Sequence, residues 1–469
     1  MKIYVNQAGY LPGGKKTVIL AQTETDGEET KKIRIMDENG KCILETDALY
    51  WGYDKDAGDH VWHADVSAVS EPGEYLAESP AGERSCLFRI SEDLYEKTGQ
   101  VLLKALYYQR CGTALEERCA GVFRRECCHT GKAVRLEDYE KLMSGGTVPL
   151  YEVRGGWHDA GDYGRYTTAA AAALAHLLYA YRFFPESFCG ELNLPESGNG
   201  IPDILNECLY ELRWLRKMQM EDGSVCHKLT SMRHANFVMP EQDDRQFILF
   251  RPSAMATGDF AAVMALASRV YAAYDSEFAQ DALAAAEKAW NWLKSHPEFL
   301  GFENPPGCNT GDYGDTDDRD ERLWAAAELY LCTGDPEYLK AAERLYAALS
   351  SEAETMVSMG WGDVSGFAGW CLLRENGELA EAYRQAFTAE AERIVDLCGK
   401  SGYGAAMETV DYGWGSNMVV LNRAMVLGTA YLLTSDQRYL ECAGKQMDYI
   451  LGVNATGFSY ITGIGEHAA

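Results

Sequence analysis

A mainly α-helical protein with a small β-sandwich at its N-terminus is the fold class this sequence predicts, on three observations. Residues 1–92 alternate apolar and polar in short runs broken by Gly, Pro and Asn-Gly, the period-2 pattern of strands. From Tyr95 onward apolar residues recur at helical spacing through long Ala-rich segments. Hydrophobic content of 47% and aromatic content of 11% over 469 residues supply a large core, and the length favours a small domain plus a large one.

The strand candidates are "KTVILAQTE", "KKIRIMDENGKCILE", "HVWHADVS", "GEYLAE" and "CLFRIS". Their turn residues suit antiparallel pairing in a sandwich. The first helix candidate is "YEKTGQVLLKALYYQRCG". Ten more follow: "TTAAAAALAHLLYAYRFF", "IPDILNECLYELRWLRKMQ", "SAMATGDFAAVMALASRVYAAY", "ALAAAEKAWNWLKSH", "DERLWAAAELYLCTG", "PEYLKAAERLYAAL", "GFAGWCLLREN", "LAEAYRQAFTAEAERIVDLCG", "SNMVVLNRAMVLGTAYLLTS" and "QRYLECAGKQMDYILG". Several are small or apolar nearly all round, which places them between two neighbours rather than on one surface. Paired helices of this kind close into a double ring or stack as a solenoid. The Gly- and Asp-rich loops between them, such as "GCNTGDYGDTDDRDE", are where a site would sit.

A formal charge of −28, from 43 basic and 71 acidic residues, argues against nucleic acid or an anionic membrane as partner. No apolar run reaches membrane-spanning length. "MKIYVNQAGYLPGG" lacks the basic start and apolar stretch of an export signal, so a cytoplasmic location is expected, or a secreted one if a leader was removed. The 14 cysteines are then expected as thiols or metal ligands. The sequence leaves the oligomeric state open.

One tetrapeptide, Asp-Ala-Gly-Asp, occurs twice, at 56–59 and 159–162. The first copy follows a Gly-Tyr turn and precedes a strand candidate, so a turn explains it without chemistry. The second, in "RGGWHDAGDYGRYTTAAAAALAH", follows Gly-Gly-Trp and runs into a helix. Two carboxylates three apart beside a helix start can converge on one water, one taking its proton and the other holding it, with the helix N-terminus keeping both ionised. Spacing alone equally admits a pair of helix-capping aspartates.

The stretches "VNQAGYLP", "DAGDHVWHADVS", "YYQRCGTAL", "CCHTG", "GGWHDAGDYGRY", "GNGIPDILNE", "DERLWAAAELY", "YGWGSN" and "DYILGVNATGFSYITGIG" together resemble glycoside hydrolase family 9, in family order along almost the whole chain. The resemblance implies an immunoglobulin-like β-sandwich at 1–92 and an (α/α)6 barrel at 93–469. It implies an inverting hydrolase of β-1,4-glucan or cello-oligosaccharides, with Asp162 as general base and Asp159 positioning the water. It also implies substrate contacts at Trp157, His227 and Trp414. A structural zinc would be held by Cys111, Cys128, His129 and His158, and a calcium by Asp320, Glu321 and Asp363. Four N and S donors suit tetrahedral zinc, and carboxylate oxygens suit calcium. The family's general-acid Glu and its preceding H-x-R motif have no counterpart in "SYITGIGEHAA", and the barrel's last helix is expected to be missing with them. Two other readings follow: an exo-acting β-glucosidase or glucosaminidase of the same family, and a carbohydrate-binding protein without activity.

Overall fold

The computed structural model describes residues 1–24, 27 and 29–469, in two compact units: Met1–Leu102 with Arg384–Ala469, and Leu103–Tyr383. The strands of the first unit are β1 (Lys2–Tyr4), β2 (Thr17–Gln22), β3 (Lys31–Asp37), β4 (Cys42–Asp54), β5 (Asp59–Asp65), β6 (Gly73–Glu78) and β7 (Phe88–Ile90). They form one antiparallel sheet in the order β1-β2-β5-β4-β3-β6-β7. The expected two layers therefore share a strand. β4 is 13 residues long; its first half pairs with β3 and its second half with β5, with an irregularity between Tyr50 and Gly52. Such a bulge bends a strand enough to pass it from one layer to the other. Between the layers, Val18, Leu20 and Trp62 meet Ile33, Ile35, Tyr75 and Phe88 in one buried core. The outer face of β1, β2 and β5 is apolar too: Tyr4, Ile19, Ala21 and Val61 pack on Tyr403 and Val453.

The first Asp-Ala-Gly-Asp copy is the β4–β5 turn. Asp54 accepts from Asp56 N and Ala57 N within the turn, and from Gly402 N at 2.8 Å beyond it. Tyr403 donates to Asp59 (2.7 Å) and Thr409 to Asp56 (2.8 Å). All three carboxylates hold the 402–409 segment against the sheet, a structural task. Glu466 is similarly engaged, accepting from Leu87 N at 3.0 Å.

Thirteen α-helices occur among the described residues: α1 (Leu94–Gln109), α2 (Glu117–Ala120), α3 (Leu136–Met143), α4 (Thr167–Phe183), α5 (Asp203–Met218), α6 (Ala254–Tyr271), α7 (Ser276–Ser295), α8 (Arg319–Thr333), α9 (Pro336–Leu349), α10 (Ser365–Leu372), α11 (Glu378–Gly399), α12 (Asn417–Thr434) and α13 (Gln437–Ile450). Eleven answer to the eleven periodic segments; the short α2 and α3 are additional. Boundaries follow local chemistry. Ser253, Asp275, Asp335 and Asp436 each accept a backbone N–H at the start of α6, α7, α9 and α13, and Gly334 ends α8 in the left-handed region. In the second unit α6 lies against α4, α7 and α8 and is buried at nearly every position, as its all-round apolar sequence requires. No helix there or elsewhere among the described residues is long and apolar enough to cross a membrane.

A small second sheet supports the site. Strands β8 (Val134–Arg135), β9 (Arg165–Tyr166), β10 (Lys228–Thr230) and β11 (Ile248–Leu249) are ordered β8-β11-β10-β9.

Candidate active site

The second Asp-Ala-Gly-Asp copy is a tight turn leading into β9. Asp159 N donates to Gly164 O (2.9 Å), and Gly164 N donates to the Asp162 carboxylate (3.2 Å). A side chain at Gly164 would meet the Tyr166 hydroxyl at 2.8 Å and a Thr230 methyl at 2.9 Å, so the turn closes only with glycine there. Asp162 Oδ2 accepts from Tyr166 OH at 2.7 Å, and His234 Nδ1 lies 3.5 Å away. Asp159 Oδ2 accepts from Tyr313 OH at 2.8 Å. Tyr313 packs on Tyr166 (ring centroids 4.6 Å apart) and edge-on to Trp361 (4.9 Å), which fixes its hydroxyl.

Neither aspartate caps α4, whose N-cap Tyr166 makes no side-chain capping bond. The two residues of β9 stand between the turn and the helix. Hydroxyls and a loop amide, rather than a helix N-terminus, hold the carboxylates.

Asp159 is open to solvent yet has protein close beside its carboxylate. Desolvation pushes it up to about 6; the Tyr313 hydroxyl opposes the rise and the neighbouring Asp162 charge adds to it. Tyr313 itself stays protonated, its pKa raised by burial and by Asp159. The pair thus combines a carboxylate fixed by two donors with one that titrates near neutrality.

Behind the turn, residues 109–111 run antiparallel to 156–158. Cys111 N donates to Gly156 O (2.7 Å) and His158 N to Gln109 O (2.8 Å), so Cys111 and His158 arrive together. Gly156 has φ +79° and faces the Trp214 ring, which a β-carbon would approach to 2.7 Å. Cys128 and His129 complete the group: all four donor atoms lie within 4.8 Å of one another. Cys128 is held well below the usual thiol range, chiefly by a hydrogen bond from Cys111 and then by the two imidazoles, while burial pushes Cys111 up. Desolvation lowers His158 to about 4, leaving its ring neutral at physiological pH. Thiolate sulfur and neutral imidazole nitrogen are the donors a borderline-soft divalent cation takes, so the residues fit a metal. His129 is oriented from behind by Asp243 (3.2 Å), itself pinned by Arg245 at 2.6 Å.

The acidic loop before α8 gathers Asp315, Asp320 and Glu321 within 4.8 Å. Asp315 takes the place expected for Asp363, whose carboxylate instead accepts from Ser365 N at 3.0 Å and reaches Asp320 only through its field. Asp259 of α6, buried completely, faces the same group; among the described residues no N–H or hydroxyl reaches either its oxygens or those of Glu321. Burial raises both, with the charges of Asp320 and Asp315 adding to it at Asp259 and those of Asp320 and Asp259 at Glu321. Oxygen donors alone suit a hard cation.

The three expected substrate contacts fare differently. Trp157 is 7% exposed; its indole N–H donates to Glu207 at 2.8 Å and its amide to Glu211, so it is a buried strut rather than a sugar platform. His227 is 0% exposed, stacked on Phe302 at 4.0 Å and bonded at both nitrogens, to Ser253 Oγ and Asp312 O. It positions the 312–313 backbone and does not face solvent. Trp414, in the other compact unit, is 101% exposed, which excludes a packing role within that unit. Sequence reasoning missed Tyr166, His234, Tyr313 and Asp315. Three of them carried a signal: Tyr166 is the last residue of the quoted "GGWHDAGDYGRY", and Tyr313 and Asp315 lie in the loop "GCNTGDYGDTDDRDE".

Comparisons with known proteins identify the family. A model described as Cellulase N-terminal ig-like domain matches residues 1–82. The cellodextrinase of Butyrivibrio fibrisolvens is 39% identical over 484 residues, covering 100% of this chain and 85% of that protein. The crystal structure of a metagenome-derived glycoside hydrolase family 9 endoglucanase superposes with a TM-score of 0.92 at 34% identity, over 100% of this chain and 86% of the other. A Zn-binding triple mutant of the family 9 endoglucanase J30 gives 0.88 at 31% identity, over 98% and 85%. With the model described as Glycosyl hydrolase family 9 matching residues 95–469, the chain is a glycoside hydrolase and belongs to family 9.

Proposed function

We propose that this protein hydrolyses β-1,4-glucan, with cello-oligosaccharides as its preferred substrates, and inverts the anomeric configuration. The observation that carries the reading is the convergence of Asp159 and Asp162 on one turn, each held by a tyrosine hydroxyl. Asp162 accepts a proton from water as the water oxygen attacks the anomeric carbon, and Asp159 holds that water in line. The glycosidic C–O bond breaks and the leaving oxygen takes a proton from an acid on the opposite face, roughly 6.5–9.5 Å from the base. The resemblance to a cellodextrinase supports short chains as substrates.

The same proposal assigns zinc to Cys111, Cys128, His129 and His158, and calcium to Asp320 and Glu321 with Asp315 and Asp259. Bound zinc would supply a rigid tetrahedral staple, and His158 precedes Asp159, so these ligands brace the turn that carries the base. An (α/α)6 barrel over 93–469, behind an immunoglobulin-like domain over 1–92, is the architecture the proposal adopts.

Turnover of an aryl β-cellobioside, whose leaving group needs little protonation, tests the base half directly. The α-anomer should be the first product by proton NMR, and Asp162→Ala should lower the rate by about 10²-fold or more. A β-anomer product, or a D162A variant as fast as its parent, would refute the assignment. Cello-oligosaccharide binding without any turnover would favour the non-catalytic reading.

A further inference from the structure

The loop Met232–Met239 presents a feature that neither the dyad nor the metal cluster explains. Phe237 is 113% exposed, with Val238 (36%) and Met239 (51%) beside it. Loop tips of this kind are ordinarily polar. This one is also tied down. Arg233 O accepts from Ser231 Oγ (2.6 Å) and from Arg245; His234 N donates to Asn309 (3.2 Å); Val238 O accepts from Tyr163 OH at 2.5 Å. Two of the ties lead to the catalytic turn: Tyr163 adjoins Asp162, and His234 Nδ1 lies 3.5 Å from the Asp162 carboxylate. Phe237 sits in sequence between those two contacts.

We propose that Phe237 is a sugar-stacking platform, taking the apolar face of one glucosyl unit of a β-glucan chain next to the base; this rests on the glucan reading above. A flat, fully solvated ring on an anchored loop offers what a pyranose C–H face needs. The anchoring removes the ordering cost that a free loop would impose on binding. Continuity with Asp162 selects substrate rather than a partner protein as the occupant.

Isothermal titration of cellotetraose into the full chain tests it. Phe237→Ala should weaken the affinity about three- to tenfold, the range expected for loss of one stacking contact. Its melting temperature should match the parent's, because the ring touches little in the free protein. Phe237→Trp should retain the affinity and add an indole emission that shifts when cellotetraose binds. Equal affinities for parent and F237A, or a silent F237W indole, would overturn the platform while leaving the glucan reading standing. A loss of affinity accompanied by a lowered melting temperature would make the role structural and overturn it too. A parent that binds no cello-oligosaccharide would overturn both.

Discussion

Replacing Tyr313 by Phe isolates one hydroxyl. The ring's contacts with Tyr166 and Trp361 survive, so the loop keeps its fold, and what is lost is the 2.8 Å bond to Asp159. A hydrogen bond to an ionised group contributes about 1.5–3 kcal/mol when buried. Asp159 is open to solvent, so about 1–1.5 kcal/mol is the expected share here. Each 1.36 kcal/mol is about one pH unit in a titration. The hydroxyl stabilises the carboxylate, so removing it raises the pKa from its present value of about 6. If Asp159 must be ionised to hold the attacking water, the acidic limb of kcat/KM against pH should fall near 6 in the parent and about one pH unit higher in Y313F. Well below the limb the variant should be about tenfold slower; at pH 8 the two should converge within about twofold. The assay is hydrolysis of an aryl cellobioside from pH 4 to 9. Superimposable limbs would show that Asp159 does not govern the rate, and the division of labour in the dyad would have to be redrawn.

Two further outcomes follow from the same physics. Because Asp159 titrates higher folded than unfolded, its contribution to stability is present below about 4 and is lost as the pH rises through about 6. Asp159→Asn, whose amide oxygen still accepts from Tyr313, should therefore melt higher than the parent at pH 7.5, with the gap closing by pH 4; a variant that melts lower at pH 7.5 would contradict this. Cys111→Ser should lower bound zinc to well below one equivalent by elemental analysis, and a zinc-selective chelator in calcium-containing buffer should lower the parent's melting temperature by several degrees while leaving the variant's nearly unchanged, since ion binding stabilises only the folded form.

How far the sequence carries these conclusions depends on whether the relevant physics is local. Helices of 14 residues or more announce themselves, because several turns of apolar spacing leave no other reading. α2, at four residues, and α3, with no buried residue, are too short or too polar to do so. The β4–β5 turn was legible as a turn, but its grip on 402–409 was not, since nothing local marks residues about 350 apart as neighbours. The zinc-type cluster was legible through resemblance, and three of its four residues lie within 20 of one another, in "QRCG" and "CCHTG".

Side-chain direction is where sequence reasoning failed. The resemblance implies substrate contacts at Trp157 and His227, yet both turn inward, because Glu207, Glu211, Ser253 and Phe302 satisfy them from the protein side. A tryptophan beside two aspartates looks like a sugar platform only if its indole N–H is left for solvent, and here a buried carboxylate takes it. The same logic, reversed, gives Phe237 its interest. A phenylalanine inside "ANFVMPEQ" reads as an ordinary core residue, and only its complete exposure on a pinned loop shows that no part of its own fold covers it. Buried polar partners cancel the first two candidates, and the absence of an apolar one nominates the third. One reason covers both outcomes: a residue's type sets what it can bind, while its satisfied or unsatisfied neighbours decide whether it is free to.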